Sequence, residues 1–105
     1  MKVKNLHGSG KNFPKPTCKC SSWISHWNIN RYPNGQKIAG YCRGCGKKMS
    51  NSDLLGAHVI KANSSYDESR YIIPLCSSCN GKDYEEFDVK EADLISANCD
   101  NCINR

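Results

Sequence analysis

Residues 42–45 read CRGC, and residues 71–80 read YIIPLCSSCN. Each stretch contains two cysteines separated by two residues, and in the second stretch the pair directly follows an apolar run. Two thiolates at this spacing can bind one metal ion from a tight turn. The glycine within the first pair favours such a turn, so we expect a zinc knuckle whose backbone amides face the thiolates. The apolar run predicts a strand over 71–75, followed by a short helix with Ser77 as its N-cap.

The cysteines occur in four close pairs, and these pairs can make two sites in a nested, a sequential or an interleaved arrangement. We favour the nested arrangement, because the 30 residues between the second and third pairs have room for a β-hairpin that ends at the second knuckle. Such a unit is a treble-clef finger. The outer site would then tie the two ends of the chain together. The inner site has Cys42, Cys45, Cys76 and Cys79 as its expected ligands, and the outer site has Cys18, Cys20, Cys99 and Cys102.

His26 is an alternative ligand of the outer site, because the Cys18-x-Cys20 spacing is tighter than the gap of two to four residues that is usual for zinc. A histidine beside Trp27 is also typical of a packed or hydrogen-bonded structural residue, and the sequence leaves both interpretations open. A zinc ion with four thiolates has no open coordination position for water. Both structural Zn²⁺ sites are therefore predicted to stabilise the fold and not to catalyse a reaction.

The composition explains why the chain would need metal. Only 18 of its 105 residues are Leu, Ile, Val or Phe, whereas eight are Cys. So few apolar residues cannot easily offset the conformational entropy that is lost on folding. Disulfides, a redox C-x2-C and an iron–sulfur cluster are the alternatives to zinc, but a disulfide within each pair would close a tiny loop and stabilise little. Residues 1–10 lack the apolar segment of a signal peptide, so we expect a cytoplasmic protein with no membrane partner.

Charge is unevenly distributed along the chain. Residues 1–52 hold ten Lys or Arg and no acidic residue, whereas residues 53–105 hold five Lys or Arg and all ten Asp and Glu. This asymmetry favours a basic surface that binds nucleic acid, or it is ordinary solubilising charge. The net charge of +5 overstates the basic character, since a zinc ion with four thiolates carries about −2. The candidate nucleic-acid-binding residues are Lys11, Lys15, Lys19, Arg31, Lys37, Arg43, Lys47 and Lys48.

Local patterns predict a small α+β domain over 18–105, preceded by a flexible basic arm over 1–17 that contains several Gly and Pro. Trp23 and Trp27 share one helical face and predict a helix over 22–32, which the Pro-Asn-Gly turn at 33–35 would end. Proline within the run over 71–75 places that strand near an edge or a strand end. Further strands are predicted over 37–41, 57–62 and 93–97.

The knuckle at 42–45, the GAHV stretch at 56–59 and residues 71–80 resemble the HNH endonuclease family. The resemblance covers residues 42–82, about 40% of the chain. In that family a ββα-metal unit holds one Mg²⁺-class ion against a scissile phosphate, and the histidine that ends the first strand activates water. The resemblance therefore implies, by position, that His58 is the general base and that Asn80 binds Mg²⁺ or Mn²⁺.

Two positions depart from the HNH pattern. The residue before His58 is Ala57, which cannot bind a metal ion, and Tyr71 stands where the family has an asparagine that orients the base. Through residues 18–27, 56–59, 73–76 and 94–98, the chain also resembles small HNH-like zinc proteins of bacteria and phages. Together these observations imply a degenerate member that keeps the scaffold, with the nuclease chemistry lost.

Three functions are consistent with the sequence. We favour a nucleic-acid-binding zinc module in which the basic first half contacts phosphates. The first alternative is a protein-interaction module, such as an inhibitor or adaptor of a phage or mobile element, since the domain is small and its second half is acidic. The second alternative is a divergent metal-dependent nuclease that uses His58. Neither G-x-x-x-x-G-K-[ST] nor G-x-G-x-x-G occurs in the sequence, which gives no support to a nucleotide-binding enzyme.

Overall fold

Antiparallel strands and two short helices make up the computed structural model, which describes residues 1–6, 15–35, 37–63, 67, 69–82 and 84–104. The elements among these residues are β1 (Lys2–Asn5), α1 (Trp23–Arg31), β2 (Leu54–Lys61), β3 (Tyr71–Cys76), α2 (Ser77–Asn80), β4 (Glu86–Asp88) and β5 (Ile95–Ser96). Single 3-10 turns cover Asn51–Asp53, Glu91–Asp93 and Cys99–Asn101. The strands form one sheet in the order β4-β1-β2-β3-β5. The predicted small α+β class is confirmed.

α1 forms where the sequence predicts a helix. The Ser22 hydroxyl accepts a hydrogen bond from the Ser25 amide at 3.2 Å and so caps the N-terminus. The helix ends before Pro33, as the turn signal predicts. It packs across β2 and β3, and Trp27 is fully buried in this contact. Neither α1 nor any other helix in the described part of the chain is long and apolar enough to cross a membrane.

Gly56 allows α1 to lie directly on the sheet. A Cβ atom at this position would stand 2.4 Å from the carbonyl carbon of Trp23 and 2.5 Å from the amide nitrogen of Ile24. Both are backbone atoms, which cannot move aside as the end of a flexible side chain can. This close approach of α1 to β2 therefore requires glycine.

The β2–β3 hairpin has two distinct faces. His58 lies opposite Ile72 in its register. Since side chains alternate along a strand, Gly56 and His58 share the face that α1 covers, whereas Val59 points to the other face. Pro74 is tolerated in β3 because β5 pairs only with the first two residues of that strand.

β1 differs from the expectation of a flexible arm over 1–17. Lys2–Asn5 lie inside the sheet between β2 and β4, and Val3 is fully buried. The strand carries little local signal, because its partners, which include Lys61 and Phe87, are distant in sequence. Residues 7–14 of the expected arm lie outside the described residues.

Two other predicted strands change in the structure. The described residues 37–41 form no strand, and a single bridge between Tyr41 and Lys48 ties them to the following segment. The strand predicted over 93–97 covers only Ile95–Ser96, because a 3-10 turn occupies Glu91–Asp93. Short strands of this kind depend on long-range pairing more than on their own sequence.

Candidate metal centres

Four cysteines converge where β3 meets α2. Their sulfur atoms all lie within 4.8 Å of one another, as ligands of one metal ion would. Cys45 Sγ and Cys76 Sγ are 4.0 Å apart, close to the ~3.8 Å that tetrahedral Zn–S bonds of about 2.3 Å imply. This group is compatible with a bound Zn²⁺ and matches the inner site of the nested arrangement. We call it the inner cluster: Cys42, Cys45, Cys76 and Cys79.

Backbone amides in the inner cluster point at its sulfur atoms. The amides of Gly44 and Cys76 donate to Cys42 Sγ at 3.3 Å and 3.2 Å. Burial raises the pKa of the Cys42 thiol, but the surrounding N–H groups lower it further and leave a pKa of about 7. Cys42 is therefore prepared to bind a cation as a thiolate. Cys76 Sγ accepts from the Cys79 amide at 3.5 Å, so the N-cap of α2 is Cys76 and not the expected Ser77.

β4 packs directly against the first knuckle. A Cβ atom on Gly44 would stand 2.8 Å from the Phe87 ring and 3.0 Å from Cys79 Sγ. Glycine therefore lets the knuckle approach both the second cysteine pair and the sheet. The sequence predicts the turn at Gly44, but the packing partner Phe87 belongs to a strand that it does not predict.

A second group of possible metal ligands links residues 18–26 to residue 102. Cys18 Sγ lies 3.4 Å from His26 Nδ1, and Cys20 Sγ lies 3.7 Å from Cys102 Sγ. The four ligand atoms all lie within 4.8 Å of one another, so this group is compatible with a second Zn²⁺. We call it the outer cluster: Cys18, Cys20, His26 and Cys102.

Cys99 stands beside the outer cluster and not within it. Its Sγ atom lies 3.0 Å from Cys18 Sγ. The structure thus brings together three of the four cysteines expected in the outer site, and it adds His26, which the sequence offers as the alternative ligand.

His26 is held in a fixed orientation on α1. Its Nε2–H donates to the Ser96 carbonyl at 2.8 Å, and the Trp23 ring packs edge-on against it with centroids 5.1 Å apart. Asn30, one helical turn further on, donates to the His26 carbonyl at 2.8 Å and to Cys102 Sγ at 3.2 Å. The only signal for Asn30 in the sequence is its i+4 spacing from His26 on a predicted helix.

His58 lies beneath α1 in the middle of β2. It is 2% exposed, and its ring meets the Trp23 ring edge-on with centroids 4.8 Å apart. Burial, with smaller effects from the charges of Arg70 and His26, lowers the pKa of His58 to about 4. The ring is therefore neutral at pH 7 and is shielded from solvent by packed side chains.

Asn80 approaches the sheet from the opposite side. The side chain of Asn5 donates to the Asn80 carbonyl at 2.9 Å, and Asn5 pairs with Val59 in the register of β1 and β2. Paired residues point to the same face, and Val59 points away from the face that carries His58. The structure therefore places the backbone of Asn80 and the ring of His58 on opposite sides of β2.

Two of the candidate nucleic-acid-binding residues make internal ion pairs. The buried carboxylate of Asp93 accepts from Arg31 Nε at 3.0 Å and from Arg43 Nε at 3.1 Å. The Arg43 side chain is only 5% exposed and stacks on the Trp27 ring at 4.9 Å. These contacts give Arg43 a structural role. The sequence contains no local signal for Asp93 as their shared partner, because the three residues are far apart along the chain.

The lysines of the candidate set are exposed where they are described. Lys15, Lys19, Lys37, Lys47 and Lys48 all face solvent, and Lys11 lies outside the described residues. The described residues 37–48 also include Tyr41, which no motif in the sequence marks as a binding residue.

Comparison with known proteins finds no matching family model, no matching curated protein and no matching solved structure.

Proposed function

We propose that the protein is a nucleic-acid-binding module of the HNH-like treble-clef type, stabilised by Zn²⁺ in the inner and outer clusters. The order of its parts supports this assignment, since the knuckle at 42–45 precedes the β2–β3 hairpin and α2 carries the second knuckle. An ion with four protein ligands has no position for a reacting water, so each zinc is structural. The thiolates require a reducing compartment, and the cytoplasm meets this requirement.

The exposed, stacked ring of Tyr41 is the main support for nucleic-acid binding. Tyr41 is 37% exposed, and its ring lies on the guanidinium of Arg43, with Arg43 Cζ 3.7 Å from the ring centroid. Arg43 in turn stacks on the buried ring of Trp27. This column holds an aromatic ring at the surface before any ligand arrives. Stacking of one base on such a ring contributes about 1–3 kcal/mol.

One lysine of the candidate set, Lys48, lies beside this aromatic ring. Lys48 lies opposite Tyr41 in the isolated bridge, so the two side chains point to the same side. Lys37 and Lys47 are exposed on the same stretch of sequence, and the cavity beside Tyr41 is lined by Lys90 as well as by Asp88 and Asp93. Lysine contacts with phosphates supply affinity that does not depend on sequence. An exposed aromatic ring beside a lysine favours single strands, whose bases are free to stack.

The module binds nucleic acid without hydrolysing it through His58. A general base must come within hydrogen-bonding reach of the attacking water, and His58 is 2% exposed beneath Trp23. Ala57 supplies no ligand for a catalytic ion, and the Asn80 backbone lies on the other side of β2. This arrangement favours a scaffold that retains the HNH-like fold for binding.

Anisotropy titrations of labelled single-stranded and duplex DNA and RNA, across a salt series, test the binding proposal. We expect tighter binding to single strands and an affinity that falls with salt. Lys48→Gln should reduce the slope of log affinity against log salt by about 1. Tyr41→Leu should weaken single-strand binding about tenfold and leave the salt slope unchanged.

Lys82→Gln is the matched control, since Lys82 is an exposed lysine in the segment after α2. A salt-insensitive response, or equal effects of Lys48→Gln and Lys82→Gln, would contradict the proposal. Recovery of one protein partner that survives nuclease treatment would select the protein-interaction alternative. Plasmid cleavage with Mg²⁺ that is lost in His58→Ala would overturn the claim that His58 does not act in hydrolysis.

A further inference from the structure

Five side chains that could bind a metal ion lie at the outer site, whereas a tetrahedral zinc ion has four coordination positions. Cys18, Cys20, His26 and Cys102 form the group, and Cys99 stands beside Cys18. We infer that zinc is bound here by three thiolates and His26 Nδ1, and that Cys99 is a thiol that does not bind the ion. This inference rests on the proposed function, because it requires that the outer cluster binds zinc.

The distances favour His26 over Cys99 as the fourth ligand. Tetrahedral zinc with bonds of about 2.3 Å to sulfur and about 2.05 Å to nitrogen places two sulfurs ~3.8 Å apart and a sulfur and a nitrogen ~3.5 Å apart. Cys20 Sγ to Cys102 Sγ is 3.7 Å, and Cys18 Sγ to His26 Nδ1 is 3.4 Å. Cys18 Sγ to Cys99 Sγ is 3.0 Å, which is too short for two ligands of one zinc ion.

The hydrogen bonds of His26 prepare Nδ1 as a ligand. A carbonyl oxygen only accepts hydrogen bonds, so the 2.8 Å contact with the Ser96 carbonyl fixes the proton on Nε2. Nδ1 then carries the lone pair and faces Cys18. Metal-binding histidines ordinarily donate their other ring N–H to a carbonyl or carboxylate in this way.

Different donors serve Cys102 and Cys99, because Cys99 is hydrogen-bonded by Thr17 and by the Cys18 backbone. Asn30 Nδ2 and the Asn104 amide donate to Cys102 Sγ at 3.2 Å and 3.3 Å. Cys102 is 3% exposed and Cys20 is 9% exposed, whereas Cys18 and Cys99 are both only partly buried. A neutral histidine in place of a fourth thiolate also leaves the site with a net charge of about −1 instead of −2, which lowers the free energy needed to bury it.

Metal content and thiol labelling distinguish the two ligand sets. Zinc-loaded protein is treated briefly with iodoacetamide, and the alkylated positions are mapped by peptide mass spectrometry. We expect Cys99 to react first, because the other seven thiols are bound to zinc. Cys99→Ser should retain two zinc ions and change the affinity of the outer site by no more than about twofold. His26→Ala should weaken that site by at least about 100-fold, since loss of even an outer-shell partner weakens a zinc site 10–100-fold.

Co²⁺ substitution provides a second readout that does not require His26→Ala to fold. The sulfur-to-cobalt charge-transfer absorption of the fully loaded protein should correspond to seven thiolates, and Cys99→Ser should leave it unchanged. Protection of Cys99 together with the other thiols, or loss of one zinc ion in Cys99→Ser, would overturn the inference while zinc binding stands. Wild-type protein that binds fewer than two zinc ions would instead overturn the proposed function.

Discussion

At the scale of single residues, Gly56 sets how closely α1 approaches the sheet. A Cβ atom at this position would stand 2.4 Å and 2.5 Å from two backbone atoms of α1 and 2.6 Å from the Trp23 Cβ. We therefore expect Gly56→Ala to lower the free energy of unfolding of the zinc-loaded protein by about 1–3 kcal/mol in urea titrations. Gly40→Ala is the control, since a Cβ at Gly40 meets no atom within 4 Å. Equal midpoints for the two variants would contradict the close contact.

Because His58 is buried, we predict that the stability of the protein depends on pH. Burial lowers its pKa from 6.5 in the unfolded chain to about 4 in the folded protein, so protonation favours unfolding. The stabilisation is complete above pH 6.5 and is lost as the pH falls towards 4. Between pH 7.5 and 5.5 the wild type should lose about 1 kcal/mol more than His58→Gln, because that variant carries no titrating group. Parallel pH profiles of the two proteins, measured by urea unfolding, would show that His58 does not titrate in this way.

At the scale of elements, prediction succeeds where the signal is local. α1 has a serine cap, two tryptophans on one face and a proline stop within twelve residues, and β3 is an apolar run that ends in a cysteine pair. β1 and β4 have no such signal, because each is stabilised by partners far along the chain. The inner cluster could be predicted from C-x2-C spacing. The role of His26 could only be offered as an alternative, because the Ser96 carbonyl that orients its ring is 70 residues away.

The position of β1 inside the sheet leads us to predict that its buried residue contributes to stability. Val3 is 0% exposed, so Val3→Ala should lower the free energy of unfolding by about 2 kcal/mol. Lys2→Ala changes an exposed residue of the same strand and should shift it by less than about 0.5 kcal/mol. Urea unfolding of the zinc-loaded variants measures both changes. If residues 1–6 were part of a flexible arm, the two substitutions would have the same small effect.

At the scale of the whole molecule, the two clusters connect segments that few apolar side chains join. The inner cluster links the loop at 42–45 to β3 and α2, and the outer cluster links residues 18–26 to residue 102. Only 18 of the 105 residues are Leu, Ile, Val or Phe. Without a cation, burial raises the pKa of the Cys18, Cys20 and Cys79 thiols, so these side chains stay protonated and each site lacks the metal bonds that would join its segments.

Zinc removal should therefore unfold the chain. We expect a strong chelator to abolish the dispersed amide spectrum and the cooperative thermal transition, and added Zn²⁺ to restore both, because ligand binding and folding are coupled. The same chelator saturated with Zn²⁺ is the control, since it separates metal removal from direct effects of the reagent. A chain that keeps a dispersed spectrum with no metal and eight reactive thiols would show that the burial of apolar side chains is enough to fold it. In that case the cysteines would have to be explained by a function other than stability.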